Sequence, residues 1–578
     1  MKNGSRKIVP RPVPDGDHQL PSELHPVLKR VYLARGIRGH EDLDLSLKRL
    51  PSPWLLQGME VMVDRLLAAI RQQKSILVVA DYDADGATAC AVAMLGLRAL
   101  GARRVDFIVP DRFRDGYGLT PSLVRAAMAK NPQLLLTVDN GIASIAGVVE
   151  AKAEGLEVLI TDHHLPGEQL PGADAIVNPN VSGDGFPGKA LSGVGVMFYV
   201  LTALRSKMRE QGEFERLGLP EPNLAELLDL VALGTVADVV PLDSVNRILV
   251  HQGLQRMRAG RARPGIRALI EVAGRQSGHL SAADLGFAVG PRLNAAGRLE
   301  DMSLGIRCLL ADDSAQAMQL AVRLDTLNRE RREIEARMKD DALLLLAAED
   351  WRTDQSNGVC LFDESWHEGV IGILASRIRE RLSRPVIAFA PGEDGLLKGS
   401  ARSIPGLHIR DLLSEVDAYF PGLILRYGGH AMAAGLTLER THFDRFVQAF
   451  DEHASRHLAQ LVMEDQIHTD GALEAGDFSL ELARSLRLGG PWGQGFPEPL
   501  FHGDFQVASA RIVGEKHLKL QVKGAGIDKP LDAIAFFPDN PAEWLSCSQI
   551  RLAYQLEINE FRGLRQLQLN VDYMEPLS

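Results

Sequence analysis

The feature that most restricts this chain is a recurring strand pattern: short apolar runs, each followed at once by acidic residues or histidines. SILVVA runs into Asp81-Tyr82-Asp83-Ala84-Asp85-Gly86, QLLLTV into Asp139-Asn140-Gly141, and LEVLIT into Asp162-His163-His164. Between them lie a further strand, VDFIVP, and helical segments of about 10 to 15 residues: ATACAVAMLGLRALG, TPSLVRAAMAK and SIAGVVEAKAEG. Strands alternating with helices in this way predict an α/β fold with a doubly wound parallel sheet. Open sheets of that kind carry their sites at the carboxyl ends of the strands. One strand-end aspartate is usually a cap or turn residue. Three such ends, with Asp238 following a fourth apolar run in LVALGTVADVV, point to a shared site.

DYDADG also opens like a calcium loop, and that reading fails. An EF-hand needs a preceding helix and a bidentate glutamate at loop position 12. Counting from Asp81, that position is Val92, and SILVVA is a strand. Carboxylates and imidazoles without thiolates suit manganese, magnesium or iron rather than structural zinc. More candidate ligands are present than one ion needs, which predicts two ions close together. Such a pair activates water and steadies both oxygens of a phosphoryl displacement. The residues alone therefore predict a two-metal phosphoesterase, with no substrate named.

The 578 residues exceed what one hydrophobic core supports. The pattern divides them into an N-terminal arm at 1–70, the first α/β domain at 71–313, a connecting helix at 314–350, a second, smaller α/β domain at 351–460 and a β-rich tail at 465–576. Ser314 to Glu349 holds neither proline nor glycine and predicts one helix of about 50 Å. The tail alternates with period two in FQVASARIVG, HLKLQVKG, LDAIAFF, IRLAYQLEINEF and LRQLQLNVDYM, which predicts a small β-barrel of the oligonucleotide-binding kind.

No apolar run is long enough to span a membrane, and MKNGSRKIVPRPVP lacks the apolar segment of a signal peptide. Four scattered cysteines with no CxxC pair argue against zinc and disulfides and fit a reducing cytoplasm. The net charge of −11 does not advertise a nucleic-acid binder, but a carboxylate-rich centre contributes to it and local basic groups remain. They are Arg112 with Arg114, Arg261 to Arg267, and Lys516 to Lys523, each equally readable as solvated surface.

The order DYDADG, VDNG, DHH, GTVADVVPL resembles the DHH phosphoesterase family, whose named triplet stands at Asp162-His163-His164. GPRLNAAGRL (Gly290 to Leu299), KGSARS (Lys398 to Ser403) and GGHAMAAG (Gly428 to Gly435) are similar to the motifs of its exonuclease branch, which degrades single-stranded DNA 5′→3′; the resemblance covers nearly the whole chain. It implies a metal set of Asp81, Asp83, Asp85, Asp139, His163 and Asp238, with Asp139, His163 and His164 catalytic and His164 stabilising the transition state. It implies two Mn2+ or Mg2+ ions, 5′-mononucleotide products and a role in recombination and mismatch repair. The expected partners are single-stranded DNA, a single-strand-binding protein and a repair helicase, with no membrane, for a cytoplasmic monomer. Which of Asp81 and Asp83 serves which ion stays open.

The second α/β domain would be the DHH-associated domain, closing a cleft over the metals. There Ser400, Arg402, Ser403, Gly428, Gly429 and His430 suit phosphate holding, although His430 also reads as a buried core histidine. Arg292, Asn294 and Arg298 either hold backbone phosphates or belong to a helix start that packs the domains together. Arg112 and Arg114 are weaker candidates, and Lys516, Lys519 and Lys523 with Phe505 and His517 would line a stacked single strand. Two rival readings share the motifs. A phosphodiesterase for short oligonucleotides or cyclic dinucleotides would not need the barrel, and an inactive replication scaffold would lose metal ligands.

Overall fold

The computed structural model describes all residues except 1–5, 113, 349–356, 460–465, 515, 525, 528, 539, 562–563 and 578. The expected boundaries at 350, 351, 460 and 465 lie outside the described residues. Two compact units emerge. The first comprises Met1–Asn294, Met302–Val322 and Glu464–Ser578, the second Ala295–Asp301 and Arg323–Met463.

The first unit opens with β1 (Lys7–Pro10), followed by the predicted sheet: β2 (Ile76–Ala80), β3 (Val105–Ile108), β4 (Leu134–Val138), β5 (Glu157–Thr161) and β6 (Ala175–Val177). The order is β3-β2-β4-β5-β6 and every pairing is parallel. Every residue of β2 and β4 is buried, as strands covered on both faces require. On one face Leu77 and Val79 pack against Leu123, Val124, Val148 and Ala151 of the helices Pro121–Ala127 and Ile145–Ala153. The helix Ala84–Ala99 packs against Gly193–Glu210 and Leu228–Ala237. The chain leaves β2 toward β3 and returns on the other side at β4. The carboxyl ends of β2 and β4 thus flank the switch point, where doubly wound sheets bind their ligands.

The helix Ser314–Ala348 begins in the first unit and continues in the second; its 35 residues span about 50 Å. The second unit holds a five-stranded sheet of order β10-β11-β9-β8-β7, built from β7 (Val359–Phe362), β8 (Val386–Pro391), β9 (Leu396–Arg402), β10 (Arg426–Gly429) and β11 (Ala433–Glu439). Only β7 and β8 run parallel, so this sheet is mixed. KGSARS and GGHAMAAG, which carry no strand-like apolar alternation, form its antiparallel half. Phe389, Leu397, Leu436, Phe446 and Phe450 fill one face, and Ile371, Leu374, Val386 and Ala388 the other.

Back in the first unit, β12 (Gln466–Thr469) pairs in parallel with β1. Buried Asp470 pairs with Arg35 at 2.7 Å and Arg11 at 3.4 Å, so the N-terminal arm docks onto the segment leading into the tail. That tail is the predicted barrel, closed in the order β13-β14-β15-β17-β16 from β13 (Phe501–Val513), β14 (His517–Gly524), β15 (Leu531–Phe536), β16 (Gln549–Phe561) and β17 (Leu564–Pro576). Five strands with one parallel closure, β15 to β17, are the OB-type solution. Among the described residues no helix is long and apolar enough to cross a membrane, and Cys90, Cys308, Cys360 and Cys547 are free thiols.

Candidate metal centre

Main-chain donors hold the acids at the strand ends. Tyr82 N donates to Asp81 Oδ1 at 2.7 Å. Asp83 caps the helix Ala84–Ala99, accepting from Gly86 N at 3.0 Å. Both oxygens of Asp85 receive amides from the start of the helix Gly193–Glu210, Gly193 N at 2.6 Å and Val194 N at 3.0 Å. Asp139 follows β4 in the left-handed region at φ 63°, with its amide donating to Thr161 O. A buried aspartate held there marks a constrained site. Asn140 Nδ2 bridges Val79 O and Val138 O, tying together the ends of β2 and β4. Asp238 caps the carboxyl end of the helix Leu228–Ala237.

Three ligand groups converge, each with one atom per residue within 4.8 Å of the others: Asp81, Asp83 and Asp139; Asp85, His163 and Asp238; and Asp139, His163 and His164. Asp81 and Asp83 group with Asp139, and Asp85 with His163 and Asp238. His163 Nε2 lies 3.1 Å from Asp139 Oδ1, 3.5 Å from Asp238 Oδ2 and 4.0 Å from Asp85 Oδ2. Among the described residues, buried His163 Nε2 and Asp139 Oδ1 have no hydrogen-bond partner. Unsatisfied buried polar atoms are expensive, and two facing each other amid further carboxylates fit divalent cations.

The electrostatics agree. Burial and repulsion from neighbouring aspartates push Asp81, Asp139 and Asp238 well above the usual carboxylate range. The same causes take Asp85 to about 7 against the pull of its two amides. Burial and the charge of His164 lower His163 to about 4, leaving it a neutral imidazole with a lone pair to offer. All-oxygen and imidazole donors are what manganese and magnesium accept.

His164 is held differently. Its Nδ1 meets Asp162 Oδ1 at 2.7 Å, and Asp162 also accepts from the amides of His163, His164 and Ile142. Burial opposes a charge on His164, but Asp162, Asp238 and Asp81 outweigh it and raise the imidazole to about 9. Tyr117 Oη stands 3.2 Å from both ring nitrogens and donates to Asp139 O at 3.3 Å. Sequence reasoning missed Tyr117; the signal available was its place between Gly116 and Gly118 beyond the carboxyl end of β3. Arg112 lies over the Tyr82 ring at 4.6 Å, and Tyr82 meets Tyr117 edge-on, which brings Arg112 to this site. Arg114 points out, beside Asp111 at 3.8 Å.

The remaining candidates divide. In the second unit Ser400 and Arg402 share one face of β9, joined by a 3.0 Å bond from Arg402 Nη1 to Ser400 Oγ. They lie against the start of the helix Ile371–Leu382 so closely that a Cβ on Gly372 would sit 2.6 Å from Arg402 Nη2. A guanidinium, a hydroxyl and a helix N-terminus are groups whose chemistry suits an anion. Ser403 does not join them: its buried hydroxyl donates to Leu407 O at 2.6 Å, which stabilises a turn. His430 is exposed between β10 and β11, which removes the buried-core reading, and Gly429 adopts φ 144° beside it; Gly428 is exposed in β10.

Arg292 is buried, its Nη1 donating to Ala288 O and its Nη2 to Val272 O, so its guanidinium serves the fold of its own unit. Asn294 accepts from Ala84 N, and Arg298 donates to Gly369 O. In the barrel Phe505 is buried and cannot stack a base, and Lys519 pairs with Asp532 at 2.9 Å. The exposed rings are instead Phe536 and Phe537, flanking His517 at 5.2 and 4.3 Å, with exposed Lys516 beside them and Lys523 further along β14.

Such a sheet, with carboxylates and an imidazole converging at its switch point, defines the class: a metal-dependent phosphoesterase of DHH type. Residues 75–235 match the DHH family N-terminal domain, 355–456 the DHHA1 domain and 469–573 the RecJ OB domain. Two proteins, each named single-stranded-DNA-specific exonuclease RecJ, match over 571 residues: that of Dickeya dadantii (strain 3937) is 52% identical over 98% of each chain, and that of Escherichia coli (strain K12) is 51% identical over 97% of this chain and 98% of its own. The crystal structure of RecJ in complex with Mn2+ from Thermus thermophilus superimposes with a TM-score of 0.80 at 33% identity, covering 96% of this chain and 76% of that one. The chain belongs to the RecJ family.

Proposed function

We propose that this chain is a metal-dependent exonuclease that degrades single-stranded DNA from its 5′ end to 5′-mononucleotides, in recombination and repair. The observation that carries it is the converging set of ligand side chains, with Asp139 Oδ1 and His163 Nε2 buried and without a hydrogen-bond partner among the described residues, in a chain matching single-stranded-DNA-specific exonucleases along its length.

Asp81, Asp83, Asp85, Asp139, His163 and Asp238 would hold two Mn2+ or Mg2+ ions, which when bound lower the pKa of water and neutralise phosphate oxygens. The chain's own residues supply the rest. In the metal-free chain Asp162 holds Nδ1 of His164 and raises its imidazole, and the ring would offer an N–H to the oxygens that gain negative charge at the scissile phosphorus. Asp162, pinned by three backbone amides, fixes the direction of that ring. Ser400, Arg402 and the start of the helix Ile371–Leu382 hold the terminal 5′-phosphate, with Arg112 a further cation for the backbone. Rings stack bases on the barrel at His517, Phe536 and Phe537, beside Lys516. We place the enzyme in the cytoplasm as a monomer, recruited by a single-strand-binding protein and a repair helicase.

The test is manganese-dependent release of mononucleotides from a 5′-labelled single strand, compared with duplex DNA, RNA and cyclic dinucleotides. The native chain should prefer the DNA single strand, and Asp139→Ala should keep DNA binding while losing hydrolysis. Preference for a cyclic dinucleotide, or full activity in Asp139→Ala, would overturn the proposal.

A further inference from the structure

We infer that Asn294 is a positioning residue of the metal centre, which sets the direction of Asp83 through one hydrogen bond to the next residue's amide. The inference rests on the metal-dependent reading above and concerns a motif, GPRLNAAGRL, that the reaction itself does not absorb.

Asn294 lies in the helix Gly290–Leu299, and its Oδ1 accepts from Ala84 N at 2.8 Å, 210 positions earlier in the chain. Because the partner is a backbone N–H, the amide must present its oxygen, so its orientation is fixed by chemistry. Ala84 is the first residue of the helix Ala84–Ala99 and stands between two ligands, Asp83 and Asp85. First-turn amides have no partner within their own helix. Here Gly86 N donates to Asp83 Oδ1, Ala87 N donates to Asp83 O, and Ala84 N is taken by Asn294.

The Ala84 amide belongs to the peptide plane shared with Asp83. Fixing that plane directs the Asp83 carboxylate toward Asp81 and Asp139, while Asp85, one residue beyond Ala84, is held toward His163 and Asp238 by the Gly193 and Val194 amides. A phosphate contact by Asn294 would use Nδ2, the other end of the amide, so the two roles separate experimentally.

The experiment uses the full chain with Asn294→Ala and Asn294→Asp. Mn2+ binding is followed by the electron paramagnetic resonance of free manganese, and kcat and KM are measured on a single-stranded oligonucleotide. Asn294→Ala should bind Mn2+ about 10–100-fold more weakly, as changes behind metal ligands typically do. Its KM for the oligonucleotide should stay unchanged, and its rate should recover at high Mn2+. Asn294→Asp keeps an acceptor for Ala84 N and should bind Mn2+ no more weakly than the native chain. Native Mn2+ affinity in Asn294→Ala overturns the inference. So does weak Mn2+ binding by Asn294→Asp, or a raised KM in both variants with Mn2+ affinity intact. Should the native chain fail to cut single-stranded DNA while the Mn2+ results hold, the proposed function falls and the role of Asn294 stands.

Discussion

Replacing Gly193 by alanine should disable the metal centre while leaving the fold nearly intact. Gly193 is the first residue of the helix Gly193–Glu210, where its amide holds Asp85. A Cβ built on it would stand 2.4 Å from Asp139 Oδ1, 2.5 Å from Asp139 Cβ and 2.6 Å from Asp139 Cγ. Comfortable contact needs about 3.5 Å, so something must move by about 1 Å. Asp139 resists, being buried at φ 63° with its amide bonded to Thr161 O. If the helix start yields instead, the Gly193 and Val194 amides leave Asp85. Either way a ligand shifts, and misplacing a reacting group by about 1 Å can cost about a hundredfold in rate. The stability cost should not exceed the rate cost: a hundredfold in rate is about 2.7 kcal/mol, whereas overpacking costs about 1–3 kcal/mol, offset by as much as about 1 kcal/mol of helix propensity gained over glycine. Thermal unfolding, Mn2+ titration and single-strand hydrolysis measured together read the three quantities. Gly167→Ala, three positions after His164 in sequence and with open space around its Cβ, is the control and should match the native chain in all three. Native Mn2+ affinity and rate in Gly193→Ala would refute the reasoning.

Three further outcomes follow from the same geometry. In metal-free protein His164 lies at about 9 against an ordinary value of 6.5, so between pH 7 and 9 it holds more of its proton in the folded chain than in the unfolded one. The chain's unfolding free energy must then fall as pH rises; His163, at about 4, titrates below this window. Melting in EDTA should therefore drop in temperature from pH 7 to 9, and Mn2+ should shrink the drop; a rise would contradict the assignment. Asp162→Asn, which removes the charge behind His164, should lower kcat by about 10–100-fold with KM nearly unchanged, measured by steady-state hydrolysis. On the barrel, Phe536→Ala or Phe537→Ala should weaken binding to a long single strand by about 1–3 kcal/mol without lowering the melting temperature. Phe505→Ala, which empties the core, should instead destabilise the chain by about 3–5 kcal/mol.

What a single strand of letters exposes is chemistry that repeats locally. Asp81, Asp139 and Asp162 could be found because each follows an apolar run, and the barrel because its alternation is strict. The β9–β11 half of the second sheet carried no such signal: KGSARS and GGHAMAAG are made of small and charged residues whose partners are other strands. Ser400 and Ser403 look alike in sequence, yet one faces Arg402 and the other donates to Leu407 O, because strand alternation ends between them. Phe505 read as a stacking ring and is core, whereas Phe536 and Phe537 read as the end of a strand and are exposed. Contacts separated by a hundred positions or more, such as Gly193 with Asp85 or Asn294 with Ala84, leave no trace in spacing at all.

Those long-range contacts share a design. Asp85 is held by backbone amides from a distant segment, Asp162 by those of Ile142 and its own two neighbours, and Asp83 at one remove through Ala84. A main-chain donor cannot change rotamer, so it fixes a carboxylate more firmly than another side chain would. It also asks nothing of the residue that supplies it except room. Room is what Gly193 provides, and a strained backbone at Asp139 is accepted beside it. Mutual repulsion among the carboxylates then works against a fixed frame rather than dispersing the ligands, which keeps the affinity of the centre for cations high. The rigidity that positions the metals is therefore distributed over residues that do no chemistry.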